Sequence, residues 1–67
     1  MPRKIRQLKS LLLKAGCLCE RAKGSHTKWS HPRFKDKLIL SGHDGDDAKP
    51  YQEQTVLRYL YEIAEES

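Results

Sequence analysis

Apolar residues recur along the first stretch of the chain with a helical period. Ile5, Leu8, Leu12 and Ala15 fall at i, i+3, i+7 and i+10, Leu11 widens the stripe, and Arg3, Lys4, Arg6, Lys9 and Lys14 occupy the remaining surface. The spacing predicts an amphipathic helix over Pro2 to Ala15. Gly16 follows the last periodic residue and is placed to end that helix in the left-handed conformation. The period then shortens to two. Cys17 to Ala22 reads as a first strand, with Cys17 and Cys19 on the helix-covered face and Leu18 on the other, and His26 to His31 reads as a second. Pro32 to Asp36 reads as a connection to a third strand, Lys37 to Ser41, centred on Leu38-Ile39-Leu40. Gly42 to Lys49, with Asp44, Asp46 and Asp47 among glycines, is turn-forming and too polar to build a core. Pro50 suits the first position of a last helix, in which Val56, Leu57, Leu60, Ile63 and Ala64 mark one apolar face. Glu62, Glu65 and Glu66 crowd the negative pole of that helix, so fraying there or a basic partner is expected.

Helix, three strands and helix in this order are compact as an antiparallel meander with both helices on one face, an α+β arrangement of the form α-β-β-β-α within one domain over residues 1–67. The other face of the sheet is left open. At 67 residues such a chain buries only about 60% of its unfolded surface. That excludes a deep, walled active site. Catalysis on this scale sits on an open surface, uses few groups and borrows shape from its substrate, conditions that RNA meets.

Charge sharpens the picture through its distribution. Residues 1–37 hold eleven Lys and Arg against Glu20 and Asp36, a balance of +9, whereas residues 38–67 hold Lys49 and Arg58 against seven acids, a balance of −5. A basic half beside an acidic half points to a polyanion site and to a separate protein contact, the alternative being charge scattered over a solvated surface.

Cys17 and Cys19 are the whole thiol inventory. At i and i+2 on one strand a bridge between them would be strained, so both read as small apolar residues of a reduced chain. Two thiols with the scattered His26, His31 and His43 match no common zinc spacing, and no metal or cofactor is expected. The longest apolar run is Leu11-Leu12-Leu13. Neither a signal peptide nor a membrane span is expected, and the expected location is the cytoplasm.

The stretch with the richest chemistry is Arg21-Ala22-Lys23-Gly24-Ser25-His26, a basic turn between two strands. Gly24 can adopt the positive φ of a tight turn and leaves its amide open to an anion, while Lys23 supplies charge. Histidine alone has an unperturbed pKa near 6.5, so His26 can exchange a proton at neutral pH; the alternative is an ordinary polar surface residue. His31 and Trp29 lie at odd spacings from His26 and therefore on the opposite strand face, which favours structural roles for both.

Gly16, Arg21 and the run Gly24-Ser25-His26 followed by Trp29-Ser30-His31-Pro32 resemble the HicA, or YcfA-like, family of mRNA interferase toxins. Ser41-Gly42, Gly45-Asp46-Asp47-Ala48-Lys49 and Tyr51-Gln52 resemble a branch of that family with a glycine- and aspartate-rich approach to its last helix. Two residues depart from it: Cys17 stands where relatives often carry phenylalanine, and His43 where this branch often has lysine.

The resemblance implies a double-stranded-RNA-binding-domain-like fold, metal-independent cleavage of mRNA, and neutralisation by a HicB antitoxin. The family's catalytic histidine falls on His26. The expected reaction is the RNA's own, attack of a 2′-OH on the neighbouring phosphate, with His26 as general base worth about 10²- to 10⁴-fold. Lys23 and the Gly24 amide would steady the phosphate charge, with Ser25, Lys28 and Arg21 completing the RNA-binding set. His43 is either the donor of the leaving-group proton or a solvated loop residue. Two other classes fit the same chain: a non-catalytic RNA-binding module, which needs no histidine, and an interaction protein in which the acidic last helix matters.

Overall fold

The computed structural model describes residues 2–66. Its elements run α1 (Ile5–Lys14), β1 (Leu18–Arg21), β2 (Thr27–His31), β3 (Phe34–Leu40) and α2 (Pro50–Glu66). The strands form an antiparallel meander in the order β1-β2-β3. This is the α-β-β-β-α, double-stranded-RNA-binding-domain-like arrangement that the hydrophobic pattern and the resemblance predict.

The first helix starts at Ile5 and not at Pro2, because Lys4 is extended (φ −81°, ψ 155°) and bridged to Asp47. The free amides of its first turn are satisfied from far along the chain. Ile5 donates to the Asp46 carbonyl at 2.9 Å and Arg6 to that of Asp44 at 3.1 Å, while the Lys4 amide donates to Gln7 Oε1 at 2.7 Å. The other end is a Schellman motif. Gly16, at φ 91°, donates to the Leu13 carbonyl, and Cys17 donates to that of Leu12.

Ile5, Leu8 and Leu12 of α1 meet Trp29, Leu38 and Leu40 of the sheet and Val56, Tyr59 and Ile63 of α2, with Cys17 and Ala48 closing the edges. Leu18 and Ile39 are exposed on the uncovered sheet face. Cys17 is buried as expected, but Cys19 is exposed: it sits opposite Trp29 on an edge strand whose every residue is exposed. Ala48 also departs from the pattern, because the polar loop folds back and carries it into the core.

The third strand begins three residues earlier than the pattern predicts. Only Pro32 and Arg33 separate it from β2, and Phe34 pairs with His31. The register slips between Trp29 and His31, so β3 carries a bulge that disguises its period of two. The Tyr59 hydroxyl donates to the bulge carbonyl of Asp36 at 2.7 Å, and its ring meets Phe34 edge-on at 5.5 Å. With Tyr59 held there, α2 buries Gln52, Val56, Tyr59 and Ile63 and leaves Leu57 and Ala64 exposed. Gln52 is satisfied on both sides. It accepts from the Lys49 amide at 2.9 Å and donates to the Ser41 carbonyl at 2.9 Å, which ties the start of α2 to the end of β3.

Candidate active site

The β1–β2 connection is a four-residue turn closed by the His26 amide donating to the Lys23 carbonyl at 3.1 Å. Gly24 has φ 63° and Ser25 has negative φ, the pattern of a type II′ hairpin turn, which only glycine enters freely at its first central position. The Ala22 amide then donates to the His26 carbonyl at 3.0 Å. His26 therefore precedes β2 and is not its first residue.

The ring of His26 is exposed, with Nδ1 3.1 Å from the Lys23 carbonyl oxygen. A carbonyl can only accept, so Nδ1 carries the proton in this contact, and in the neutral ring Nε2 is the nitrogen with the lone pair. The turn that exposes His26 thus also selects its tautomer.

An open cleft of about 390 Å³ lies beside the turn. Arg21, Gly24, Ser25, His26 and Thr27 form one wall, Gly42, His43 and Asp44 another, and Lys9 reaches it from α1. Thr27 holds the hairpin wall to the core: its Oγ1 donates to the Leu40 carbonyl at 3.2 Å and accepts from Trp29 Nε1 at 2.9 Å. Trp29 is a buried core residue, 1% exposed. The opposite wall is set by the His43 amide donating to Asp46 Oδ2 at 3.0 Å, with the Asp46 amide returning to the His43 carbonyl. Lys9 Nζ meets Asp44 Oδ1 at 2.6 Å. That bond and charge hold the Asp44 carboxyl below its usual range, with Arg6 and His43 adding smaller pulls.

Of the residues singled out in the sequence, Arg21, Gly24, Ser25, His26 and His43 converge on this cleft. Lys23 is exposed on the turn outside the cleft lining, and Lys28 lies on the sheet between its cross-strand neighbours Glu20 and Ile39. Sequence reasoning missed Lys9 and Asp44. They are separated by 35 positions, and no local pattern marks either. His31 is held elsewhere, against the end of α1. Among the described residues, no three of His, Cys, Asp and Glu gather as a metal site.

A family model described as the HicA toxin of bacterial toxin-antitoxin systems matches residues 5–60, from the start of α1 well into α2. The chain belongs to the HicA toxin family. It is thus the toxin of a toxin-antitoxin pair, and its partner class is an antitoxin. Neither a curated protein nor a solved structure matches it. Among the described residues of this HicA toxin, no helix is long and apolar enough to cross a membrane.

Proposed function

We propose that this HicA toxin is an mRNA-cleaving endoribonuclease, acting as one domain over residues 1–67 in the cytoplasm, with His26 as general base. The observation that carries this reading is the contact between His26 Nδ1 and the Lys23 carbonyl, which leaves Nε2 as the basic nitrogen beside an open cationic cleft. Nε2 takes the proton from a ribose 2′-OH. The 2′-oxygen forms a bond to the adjacent phosphorus, the bond from phosphorus to the 5′-oxygen breaks, and the products are a 2′,3′-cyclic phosphate and a 5′-OH. Arg21, Lys23 and the amides of Gly24 and Ser25 stabilise the negative charge gathering on the phosphate, and Lys28 binds the strand beyond it. The leaving 5′-oxygen takes its proton from His43, which shares the cleft, or from water. The step needs no metal or cofactor.

A HicB-type antitoxin silences the toxin by covering His26 and the basic surface. Competition between antitoxin and RNA tests this; simultaneous binding with cleavage abolished would point to a distant effect. The nuclease itself is tested by incubating a long RNA with wild type and His26→Ala, without added metal and with chelator present. Wild type is expected to cut and the variant not to. Cutting by the variant, or a metal requirement in the wild type, would replace this reading with a non-catalytic RNA-binding module.

A further inference from the structure

Lys9 is unusual among the cations of the basic half. Its side chain is only 24% exposed, it lines the cleft, and the carboxylate that meets its ammonium belongs to a residue whose side chain is 66% exposed. The other two ion pairs among the described residues, Lys4 with Asp47 and Arg3 with Glu53, do not line this cleft. Arg21, on the facing wall, has no acid within salt-bridge distance among the described residues. The cleft therefore holds one cation awaiting an anion and one whose anion is an exposed side chain.

We propose that Lys9 is a backbone-phosphate site for the RNA strand lying across His26, and that Asp44 occupies that site until RNA displaces it. An ammonium is a compact point charge able to exchange a carboxylate for a phosphate oxygen without rebuilding its surroundings. Lys9 stands on a helix anchored by Leu8 immediately before it and Leu12 one turn after it, both fully buried, so it lines the cleft from a rigid base. Asp44, in contrast, sits on the loop after β3, where swinging its exposed carboxylate outward leaves its backbone bond to Arg6 intact. The exchange places a phosphate between α1 and the turn, and the strand runs from Lys9 past His26 towards Arg21.

A competing account is that the pair only staples the loop to α1. The two accounts differ in sign. As a staple, losing either partner loosens the same wall and weakens binding alike. As a phosphate site held by a surrogate anion, losing Lys9 weakens RNA binding and losing Asp44 strengthens it.

This inference rests on the RNA-binding part of the proposed function. It is tested by titrating a labelled single-stranded RNA over a salt series against His26→Ala protein, which keeps the RNA uncut. Lys9→Met, Lys9→Arg and Asp44→Asn are added to that background, Met preserving the partly buried stem. Lys9→Met is expected to weaken binding on the order of tenfold and to lower the log–log salt slope by about 0.7. Lys9→Arg should retain most of the affinity, and Asp44→Asn should bind more tightly than the parent. Equal weakening by Lys9→Met and Asp44→Asn, or an unchanged slope in Lys9→Met, overturns the inference while leaving the nuclease reading in place. A parent that fails to bind RNA at all overturns both.

Discussion

His31 Nε2 donates to the carbonyl of Ala15 at 3.1 Å, and its Nδ1 accepts from the amide of Arg33 at the same distance. One ring thus bolts the end of α1 to the β2–β3 turn, with both nitrogens engaged by backbone. Among the described residues, His26 has only its Nδ1 engaged. The two histidines are five residues apart and have opposite availability for chemistry.

Replacing His31 by Ala is expected to destabilise the fold by about 1–3 kcal/mol, through unpaired groups at Ala15 and Arg33, while the folded fraction still cleaves RNA. Urea melts together with cleavage assays at low temperature check this. A stable His31→Ala protein without activity would reverse the roles of the two residues.

His26→Ala should shift stability by no more than about 0.5 kcal/mol, because the ring is exposed. Binding should also survive, since a neutral imidazole contributes little to a charge-driven affinity. The wild-type pH–rate profile should rise on a limb that the variant lacks. Chemical denaturation, RNA titration and cleavage rates separate the three effects, and a large loss of affinity in the variant would count against a purely proton-transferring role.

In Gly24→Ala the added methyl meets no atom within 4 Å beyond its own residue and chain neighbours, so its cost is the backbone strain of φ 63°. A loss of about 1–2 kcal/mol is expected, with a larger proportional loss of cleavage because the same turn aims His26. A synthetic chain carrying D-alanine at this position should recover both, since the D-residue accepts positive φ. Failure to recover would mean that the amide's surroundings, and not the turn conformation, matter.

Removing Lys23 or Lys28 by alanine substitution should each lower the log–log salt slope for single-stranded RNA by about 0.7. Lys28 lies outside the cleft, so its loss should change cleavage at saturating RNA less than affinity, whereas loss of Lys23, which steadies the reacting phosphate, should lower both. An unchanged slope for Lys28→Ala would move the RNA path off the open sheet face.

Alkaline stability follows from two core groups. Burial pushes the Cys17 thiol above its ordinary value of 9.0, and burial, with smaller contributions from Cys17 and Asp36, pushes the Tyr59 phenol above 10.0. Both acids hold their protons more tightly in the folded chain than in the unfolded one. The stability they contribute is fully present below the ordinary values and is lost as pH rises through them towards the raised folded values. Melting temperatures should turn down above about pH 9, and Cys17→Ala should remove the earlier part of the decline. At neutral pH a thiol reagent should modify exposed Cys19 and reach buried Cys17 only on unfolding; rapid modification of both would contradict the packing.

Element order, the helix cap at Gly16, the glycine turn before His26 and the inward side of Trp29 were all legible in the sequence, because each depends on neighbours within a few residues. The backbone allows positive φ cheaply only at glycine, and parity along a strand assigns faces without knowledge of the partner strand. The bulge in β3 was not legible: it depends on how β3 registers against β2, and Tyr59 reaches Asp36 from another element. Charge followed the same division. Composition separated a basic half from an acidic half, but only folding brought Asp44, Asp47 and Glu53 onto Lys9, Lys4 and Arg3, so part of the apparent imbalance is spent inside the molecule. The cleft belongs to tertiary structure for the same reason. His26 could be named from its turn, whereas the side chains that face it, Lys9 and His43, come from a helix and a loop that only the packed core sets beside it.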